Sequence, residues 1–175
     1  MGYWNSRGLR GNELEEQINQ TNQLYREKKL GLVQKVPTPI KPIRIDSEKR
    51  TITLAYFEQK STVDYIGVIQ GIAICFDAKE TTKNFLPLSN IHEHQVIFMR
   101  DFKEQGGVAF LVVYFKKYDE YYFLPIEILE KWYEQAKKGG RKSIPYEQFE
   151  KSYQIFIEGG LYIHYLKVLE KYVKD

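Results

Sequence analysis

The chain has 175 residues, 43% of them hydrophobic and 28% charged, and its formal net charge is +3. This composition excludes a disordered polypeptide and is sufficient for one domain with a core of its own. No apolar run of about 18 residues is present and no signal-peptide pattern precedes the polar N-terminus, so we expect a cytoplasmic protein without a membrane span. The single cysteine, Cys75, lies in an apolar stretch and is expected in the core.

The first 36 residues predict an arm, a helix and a short strand. Residues 1–11 are expected to form a flexible arm. Asn12 can cap the helix that follows, acidic residues fill its first turn, and Gly31 ends it. LVQKV then predicts a strand. One face of the helix carries a stripe at helical spacing, formed by Leu14, Ile18, Thr21 and Tyr25.

Residues 37–60 predict a two-stranded projection, which we call the stalk. Its first half, PTPIKPIRI, has prolines that exclude a helix or a central strand. SEKR predicts a turn tipped by Lys49 and Arg50. TITLAYF, with β-branched and aromatic residues, predicts the returning strand.

The remaining elements predict an α/β fold. Strands 63–69 and 71–79 meet at a tight turn near Gln70, and Ser89 or Asn90 is expected to cap a second helix. VAFLVVYF is apolar enough for a strand buried on both faces. EYYFLP predicts a further strand, which is followed by a helix over IEILEKWYEQAKKGG and a last helix over GLYIHYLKVLEKYVKD. We therefore predict one domain over residues 12–175, with a mixed sheet flanked by helices.

Charged residues gather where two of these strands meet. Asp77 and Lys79 share one face of their strand because side chains alternate. A tight hairpin turning near Gln70 places Asp64 roughly across from residues 77–79. Two close carboxylates repel unless a cation lies between them, and Mg²⁺ prefers oxygen ligands. In this hairpin setting the pattern is that of a metal-dependent nuclease of the restriction-endonuclease type, whereas D-x-K taken alone occurs often by chance and favours a surface salt bridge at a strand end.

A wider similarity runs from about Arg10 to Lys171. The blocks KVPTPI, KSTVDYIG, FDAKET, LPLSNIHEHQ, GGVAFLVVYF and GGRKSIPY occur in the order and spacing of the RecU family of Holliday junction resolvases, which the chain resembles. The resemblance implies a homodimeric, Mg²⁺-dependent endonuclease with a restriction-endonuclease-like fold. It implies cleavage of four-way DNA junctions in recombination and repair, a stalk that enters the junction centre, and recombinase or branch-migration proteins as possible partners. Mn²⁺ is expected to substitute for Mg²⁺.

The resemblance also implies roles for single residues. It makes Thr62 and Asp64 metal-linked, Asp77 a ligand and Lys79 catalytic. Two further residues near the metal are implied, Gln95 as a ligand and Glu15 as an acid on the first helix. Relatives carry Glu where this chain has Asp77, so the metal position or preference is expected to shift.

Basic clusters indicate a polyanionic partner, and we expect them to contact DNA phosphates. Tyr56 and Phe57, on the stalk, are expected to support it or to touch unstacked bases, whereas the other strand tyrosines are expected to pack in the sheet. The predicted DNA-binding residues are Arg7, Arg10, Lys41, Arg44, Lys49, Arg50, Lys60, Lys137, Lys138, Arg141 and Lys142.

Other functions fit the sequence less well. His92 and His94 are two residues apart at a helix start, so zinc ligation is disfavoured and phosphate contact or helix capping is favoured. A junction-binding protein without cleavage would need the stalk but not Asp64, Asp77 and Lys79 together. A sequence-specific restriction enzyme would not need the stalk.

We also expect a C₂ dimer, because resolving a junction takes two nicks on opposed strands and each chain has one site. The segments VAFLVVYF, YYFL and GGLYIHYLKVL offer a surplus of apolar surface, and we expect the interface to draw either on the apolar strand segments or on helix ends.

Overall fold

The structure is a computed structural model that describes residues 12–57 and 62–174; the predicted arm lies outside this range. No helix in the described part of the chain is long and apolar enough to cross a membrane. The helices are α1 (Asn12–Glu27), α2 (Glu93–Glu104), α3 (Ile126–Lys137) and α4 (Tyr165–Lys174). The strands are β1 (Gly31–Lys35), β2 (Ile40–Asp46), β3 (Thr51–Phe57), β4 (Tyr65–Ile69), β5 (Ile72–Thr81), β6 (Phe85–Pro87), β7 (Val108–Phe115), β8 (Glu120–Pro125), β9 (Ser143–Pro145) and β10 (Gln154–Ile155).

A six-stranded mixed sheet forms the centre, in the order β1-β4-β5-β7-β8-β10. Only the β5–β7 pair of this sheet is parallel. Helices α1 and α4 cover one face, where Ile18 and Tyr165 pack with Phe76 and Phe110. Helices α2 and α3 cover the other face. The predicted mixed sheet flanked by helices is confirmed.

Strand β7 is buried on both faces, as its apolar sequence predicts. Phe110 and Val112 belong to the core under α1 and α4, and Leu111 and Val113 to the core under α2 and α3. All four side chains are fully buried. Of the two predicted locations for a dimer interface, the strand segments VAFLVVYF and YYFL are therefore excluded, because the chain's own helices cover them, and the helix ends stay a prediction.

A two-residue turn sets the register of β4 against β5. Gln70 and Gly71 both have positive φ, of 50° and 83°, which is the backbone of a type I′ hairpin. Ile69 then pairs with Ile72, and the ladder runs to Tyr65 opposite Phe76. Asp64 precedes Tyr65 and Asp77 follows Phe76, so the two acids lie opposite each other where β4 begins.

Strand β5 is twice as long as β4 and continues beyond it. Residues 77–81 pair with β7 but have no β4 residue beside them. Among the residues that the structure describes, no strand pairs with the other edge of this half of β5, next to the acids.

The stalk is a separate two-stranded sheet of β2 and β3. Its side chains are almost all exposed; for example, Ile45 is 62% and Phe57 75% exposed. The ladder shifts register near Pro42, which lacks an N–H group to donate. The predicted projection is thus confirmed as a weakly packed hairpin.

Two local predictions are corrected, and one strand pair is new. Helix α2 begins after His92 and not after Ser89 or Asn90, which lie in a 3₁₀ turn that follows Pro87. The last helix begins at Tyr165, five residues later than its apolar sequence indicates, because residues 158–161 form a turn with two glycines of positive φ. The β6–β9 pair was not predicted.

Candidate active site

Asp77 is the centre of the site and is completely buried. Its Oδ1 accepts a hydrogen bond of 3.0 Å from the backbone N–H of Asp64. Its Oδ2 accepts one of 3.0 Å from the side-chain amide of Gln95 and forms an ion pair with Lys79. Burying an ionised carboxylate without such partners would cost several kcal/mol. The fold therefore supplies three donors, and only one of them is charged.

Asp64 lies across from Asp77, as predicted. Its Oδ2 accepts a hydrogen bond of 2.9 Å from the backbone N–H of Ala78, on the open edge of β5. Burial and the neighbouring Asp77 charge raise the pKa of Asp64 to about 7, and the Ala78 N–H and Lys79 only partly oppose them. Two carboxylates thus compete for one ammonium, and the site carries an excess of negative charge.

The orientation of the Gln95 amide follows from its two partners. The backbone N–H of His92 lies 3.0 Å from Oε1 of Gln95, and a backbone N–H can only donate. The amide group that faces Asp77 is therefore the NH₂, which donates to Oδ2. If Gln95 bound a metal through Oε1, this oxygen would lose its hydrogen bond from the backbone N–H of His92 at the N-terminus of α2. In this geometry Gln95 orients Asp77, a role that the sequence did not reveal.

Two other predicted residues lie near this cluster but not in it. The carboxylate of Glu15 forms an ion pair with Lys35, and its backbone carbonyl accepts a hydrogen bond of 3.2 Å from Tyr65. Thr62 is half-buried and precedes the buried Val63. Their roles at a metal stay predictions.

The donor set fits a hard divalent cation. Among the described residues no three His, Cys, Asp or Glu side chains converge, so a metal would have Asp64 and Asp77 as its carboxylate ligands. Mg²⁺ is bound in proteins by one or two carboxylates, with waters and substrate phosphates completing its shell. Burial is the first cause of the raised pKa of Asp64, and the charge of Asp77 is the second. A cation between the two acids would offset this repulsion.

The predicted DNA-binding residues fall in two described regions. Lys41, Arg44, Lys49 and Arg50 are exposed on the stalk. In the second region Lys138, Arg141 and Lys142 are exposed, whereas Lys137 forms an ion pair of 2.8 Å with Glu93. Arg7, Arg10 and Lys60 lie outside the described residues.

Backbone groups are the part of the site that sequence patterns cannot reveal. The N–H groups of Asp64 and Ala78 each bind the carboxylate on the opposite strand. This reciprocal pair of hydrogen bonds aligns the two acids. The only sequence signal for these two hydrogen bonds is the register of the hairpin, which follows from the Gln70-Gly71 turn. Together the acids, Lys79 and the open strand edge define a site suited to metal-assisted chemistry on a phosphodiester.

Comparisons with known proteins agree with this class of site. A family model described as RecU, recombination protein U, matches residues 9–171. Proteins named Holliday junction resolvase RecU are similar over most of their length. The one from Pediococcus pentosaceus is 40% identical over 173 residues, covering 96% of this chain and 86% of its own. The one from Geobacillus sp. (strain WCH70) is 42% identical and covers 94% and 84%.

A third relative, from Oenococcus oeni, is 45% identical over 144 residues and covers 80% of this chain and 73% of its own. A solved Holliday junction resolvase, Hjc of Archaeoglobus fulgidus, aligns with a TM-score of 0.37 and 13% identity, covering 67% of this chain and 74% of its own. The family model and the sequence relatives span nearly the whole chain. The protein belongs to the recombination protein U (RecU) family.

Proposed function

We propose that this protein is a metal-dependent endonuclease that cuts four-way DNA junctions during recombination and repair. The observation that carries the proposal is the convergence of Asp64, Asp77 and Lys79 beside the open edge of β5. Relatives at 40–45% identity are named Holliday junction resolvases, which supports the choice of substrate.

Each residue of the site has a distinct task in this proposal. Asp64 and Asp77 would hold Mg²⁺, for which Mn²⁺ would substitute. Such an ion would supply Lewis-acid chemistry, activating the attacking water and offsetting negative charge on the phosphate. Lys79 is anchored by Asp77 and donates its other N–H groups to the phosphate or the attacking water. Gln95 keeps the Asp77 carboxylate in place.

The stalk supplies the preference for a junction. Its exposed lysines and arginines can form ion pairs with DNA phosphates. Tyr56 and Phe57 are exposed enough to stack on unpaired bases. A hairpin with so little core around it can enter a junction centre without disturbing the sheet. A sequence-specific restriction enzyme would have no use for this element.

Two sites are needed for two opposed nicks, so the proposed working form is a homodimer acting on DNA in the cytoplasm. Light scattering is expected to give about twice the chain mass of 20.8 kDa. Mixing wild type with an excess of Asp77→Asn should then yield junctions nicked on one strand only. A monomer that makes paired cuts would contradict the dimer.

The direct test compares a labelled four-way junction with a linear duplex of the same sequence. We expect paired symmetric cuts in the junction with Mg²⁺, none with EDTA, and little cutting of the duplex. Tight binding of the junction without cleavage under any divalent metal would instead favour a junction-binding protein. Equal cutting of both DNAs would reject the proposed substrate.

A second test removes the stalk. Ile40 pairs with Phe57, so a short Gly-Ser turn can replace residues 41–56 and close the hairpin. The variant should remain folded but lose most of its preference for the junction. Lys49→Ala with Arg50→Gly should reproduce part of this loss; glycine is chosen because Arg50 has a φ of +51°. An unchanged ratio of junction to duplex affinity would remove the stalk from recognition.

A further inference from the structure

A polar cavity of about 280 Å³ lies at the carboxyl ends of the parallel strands β5 and β7. Ligands of open α/β sheets commonly bind at the carboxyl ends of the strands. The cavity begins one residue beyond Lys79, but it shares no residue with the site described above. Its polar lining includes Glu80, Thr82, Lys83, Ser89, Asn90 and Lys116.

Thr81 organises the walls of this cavity. Its hydroxyl donates to the carbonyl of Phe85 at 3.1 Å and accepts from the backbone N–H of Lys83 at 3.1 Å. Its own carbonyl accepts from the backbone N–H of Lys116 at 2.9 Å. Three hydrogen bonds from one buried threonine thus hold the two lysine-bearing segments beside each other.

The charges of the lining favour an anion. Glu80 Oε1 forms an ion pair of 2.8 Å with Lys116, so this carboxylate neutralises one lysine. In the described part of the chain, no carboxylate lies within 4.0 Å of Lys83, whose ammonium sits 5.2 Å from the ring centre of Phe85. The lining therefore has one excess positive charge, together with hydroxyl and amide donors from Thr82, Ser89 and Asn90.

The cavity also connects the candidate active site with the second region of predicted DNA-binding residues, which contains Lys138, Arg141 and Lys142. The backbone N–H of Leu88 donates to the carbonyl of Lys142 at 3.1 Å, next to Ser89 and Asn90 on the cavity wall. Along β5, Thr81 is two residues from Lys79, or about 7 Å. That distance is roughly two base-pair steps of about 3.4 Å along the helix axis of DNA, so one strand can reach both positions.

We propose that this cavity binds a backbone phosphate of DNA close to the phosphate that is cut. Lys83 and Lys116 supply the charge, and Glu80 holds Lys116 in position. The inference rests on the proposed function, because it assumes a DNA strand at the open edge of β5. It adds a contact that would fix the register of the strand over Asp64 and Asp77.

The first test measures affinity for the four-way junction in EDTA over a range of salt concentrations. Lys83→Gln and Lys116→Gln should each weaken binding about five- to tenfold and lower the salt slope by about 1. The matched control is Lys167→Gln on α4, which removes an exposed lysine that forms an ion pair of 2.8 Å or less in the same way as Lys116, here with Glu158 at 2.7 Å. Losses no larger than the control's would overturn the proposal. Lys83 has no ion pair to lose, so its variant decides the outcome if Lys116→Gln is unstable.

A second arm separates a phosphate from a cation as the ligand. Glu80 Oε2 is buried and has no hydrogen-bond partner within residues 12–57 and 62–174. If a cation occupied the cavity, Glu80→Gln would abolish its binding and weaken DNA binding in Mg²⁺. In a phosphate site the same change removes a repulsive charge and keeps an acceptor for Lys116, so affinity in EDTA should rise by up to about threefold. Weakened binding confined to Mg²⁺ would overturn the proposal.

The sharpest test places an uncharged methylphosphonate at each phosphate around the cut in turn. One position, within about three nucleotides, should weaken binding by wild type but not by the variant that carries both Lys83→Gln and Lys116→Gln. Interference that persists in the double variant would contradict the assignment. Cleavage of unmodified junction by wild type is measured in parallel, so failure of the proposed function is distinguished from failure of this contact.

Discussion

Two clusters of charged side chains look alike in composition but differ in what they leave unbalanced. In the first, Asp64 and Asp77 share one lysine, Lys79. In the second, at the start of β8, Lys151 serves a single carboxylate. It donates hydrogen bonds of 3.0 and 2.8 Å to the two carboxylate oxygens of Glu120. Hydroxyls complete this second cluster, since Tyr122 and Tyr146 both donate to Oε2 of Glu120.

The carboxyl pKa values differ accordingly. Burial and Asp77 raise the pKa of Asp64 to about 7. Burial also acts to raise the pKa of Glu120, but hydrogen bonds from Lys151 and the two tyrosines outweigh it and lower this pKa to about 2. In the proposed function, Glu120 with its many donors is a structural element, whereas the two acids with too few donors hold a cation. The difference separates a site from a salt bridge, a distinction that the D-x-K pattern cannot make.

The largest expected effect is on cleavage. Asp77→Asn and Lys79→Ala should each lower the single-turnover rate on a four-way junction by at least on the order of 10²-fold, because both act on charge at the reacting phosphate. Junction affinity in EDTA should change little, since phosphate contacts elsewhere supply it.

The second cluster provides the matched controls for that experiment. Glu120→Gln and Lys151→Ala make the same chemical changes away from the site and should leave the cleavage rate within about twofold of wild type. If the β8 variants lost as much activity as the β5 variants, the two clusters would not be functionally distinct.

The next effect concerns Gln95 in the metal-free protein. Gln95→Glu replaces the donor that lies 3.0 Å from Asp77 Oδ2 with a carboxylate oxygen. In EDTA this repulsion should lower the free energy of unfolding by about 1–3 kcal/mol, measured by chemical denaturation. Gln34→Glu, on the exposed side of β1, is the control. Unchanged stability in EDTA with tighter Mg²⁺ binding would show that Gln95 is a ligand instead.

Mg²⁺ itself should stabilise the fold through the first cluster alone. At a concentration tenfold above its Kd, the ion is expected to add about 1.4 kcal/mol, which thermal unfolding with Mg²⁺ and with EDTA can measure. Asp77→Asn should lose this increment and Glu120→Gln should keep it. An increment that survives in Asp77→Asn would place the metal elsewhere.

The smallest effect is the pH dependence of the second cluster. Because the folded-state pKa of Glu120 is about 2 and its ordinary value is 4.5, its ion pair stabilises the fold above pH 4.5 and is lost as the pH falls towards 2. The Tm difference between wild type and Lys151→Gln should be constant from pH 5 to 8 and shrink below pH 4. A difference that persists at pH 2 would show that packing, not charge, is responsible.

Local rules predicted the parts of the site that depend on nearby residues. The placement of Asp64 opposite Asp77 needs only side-chain alternation and the two-residue turn at Gln70-Gly71. Lys79 follows from the same alternation. These features are set within one hairpin, so the sequence was sufficient for them.

Long-range and backbone features were beyond such rules. Strands β6 and β9 are three residues each and lie more than 50 residues apart, too short for a detectable period. The cluster of Glu120 and Lys151 joins residues 31 apart through tertiary packing. His92 caps α2 because the preceding 3₁₀ turn delays the helix, although Ser89 and Asn90 are the better capping types.

The two-residue turn between β4 and β5 also limits how this protein can vary in length. Twelve residues separate Asp64 from Asp77, and every one of them lies in the ladder or the turn. Inserting or deleting a single residue within either strand would move one acid to the opposite face of the sheet. The SEKR turn of the stalk bears no such constraint. In homologous sequences, insertions and deletions should therefore accumulate at residues 46–50 and be absent between Asp64 and Asp77.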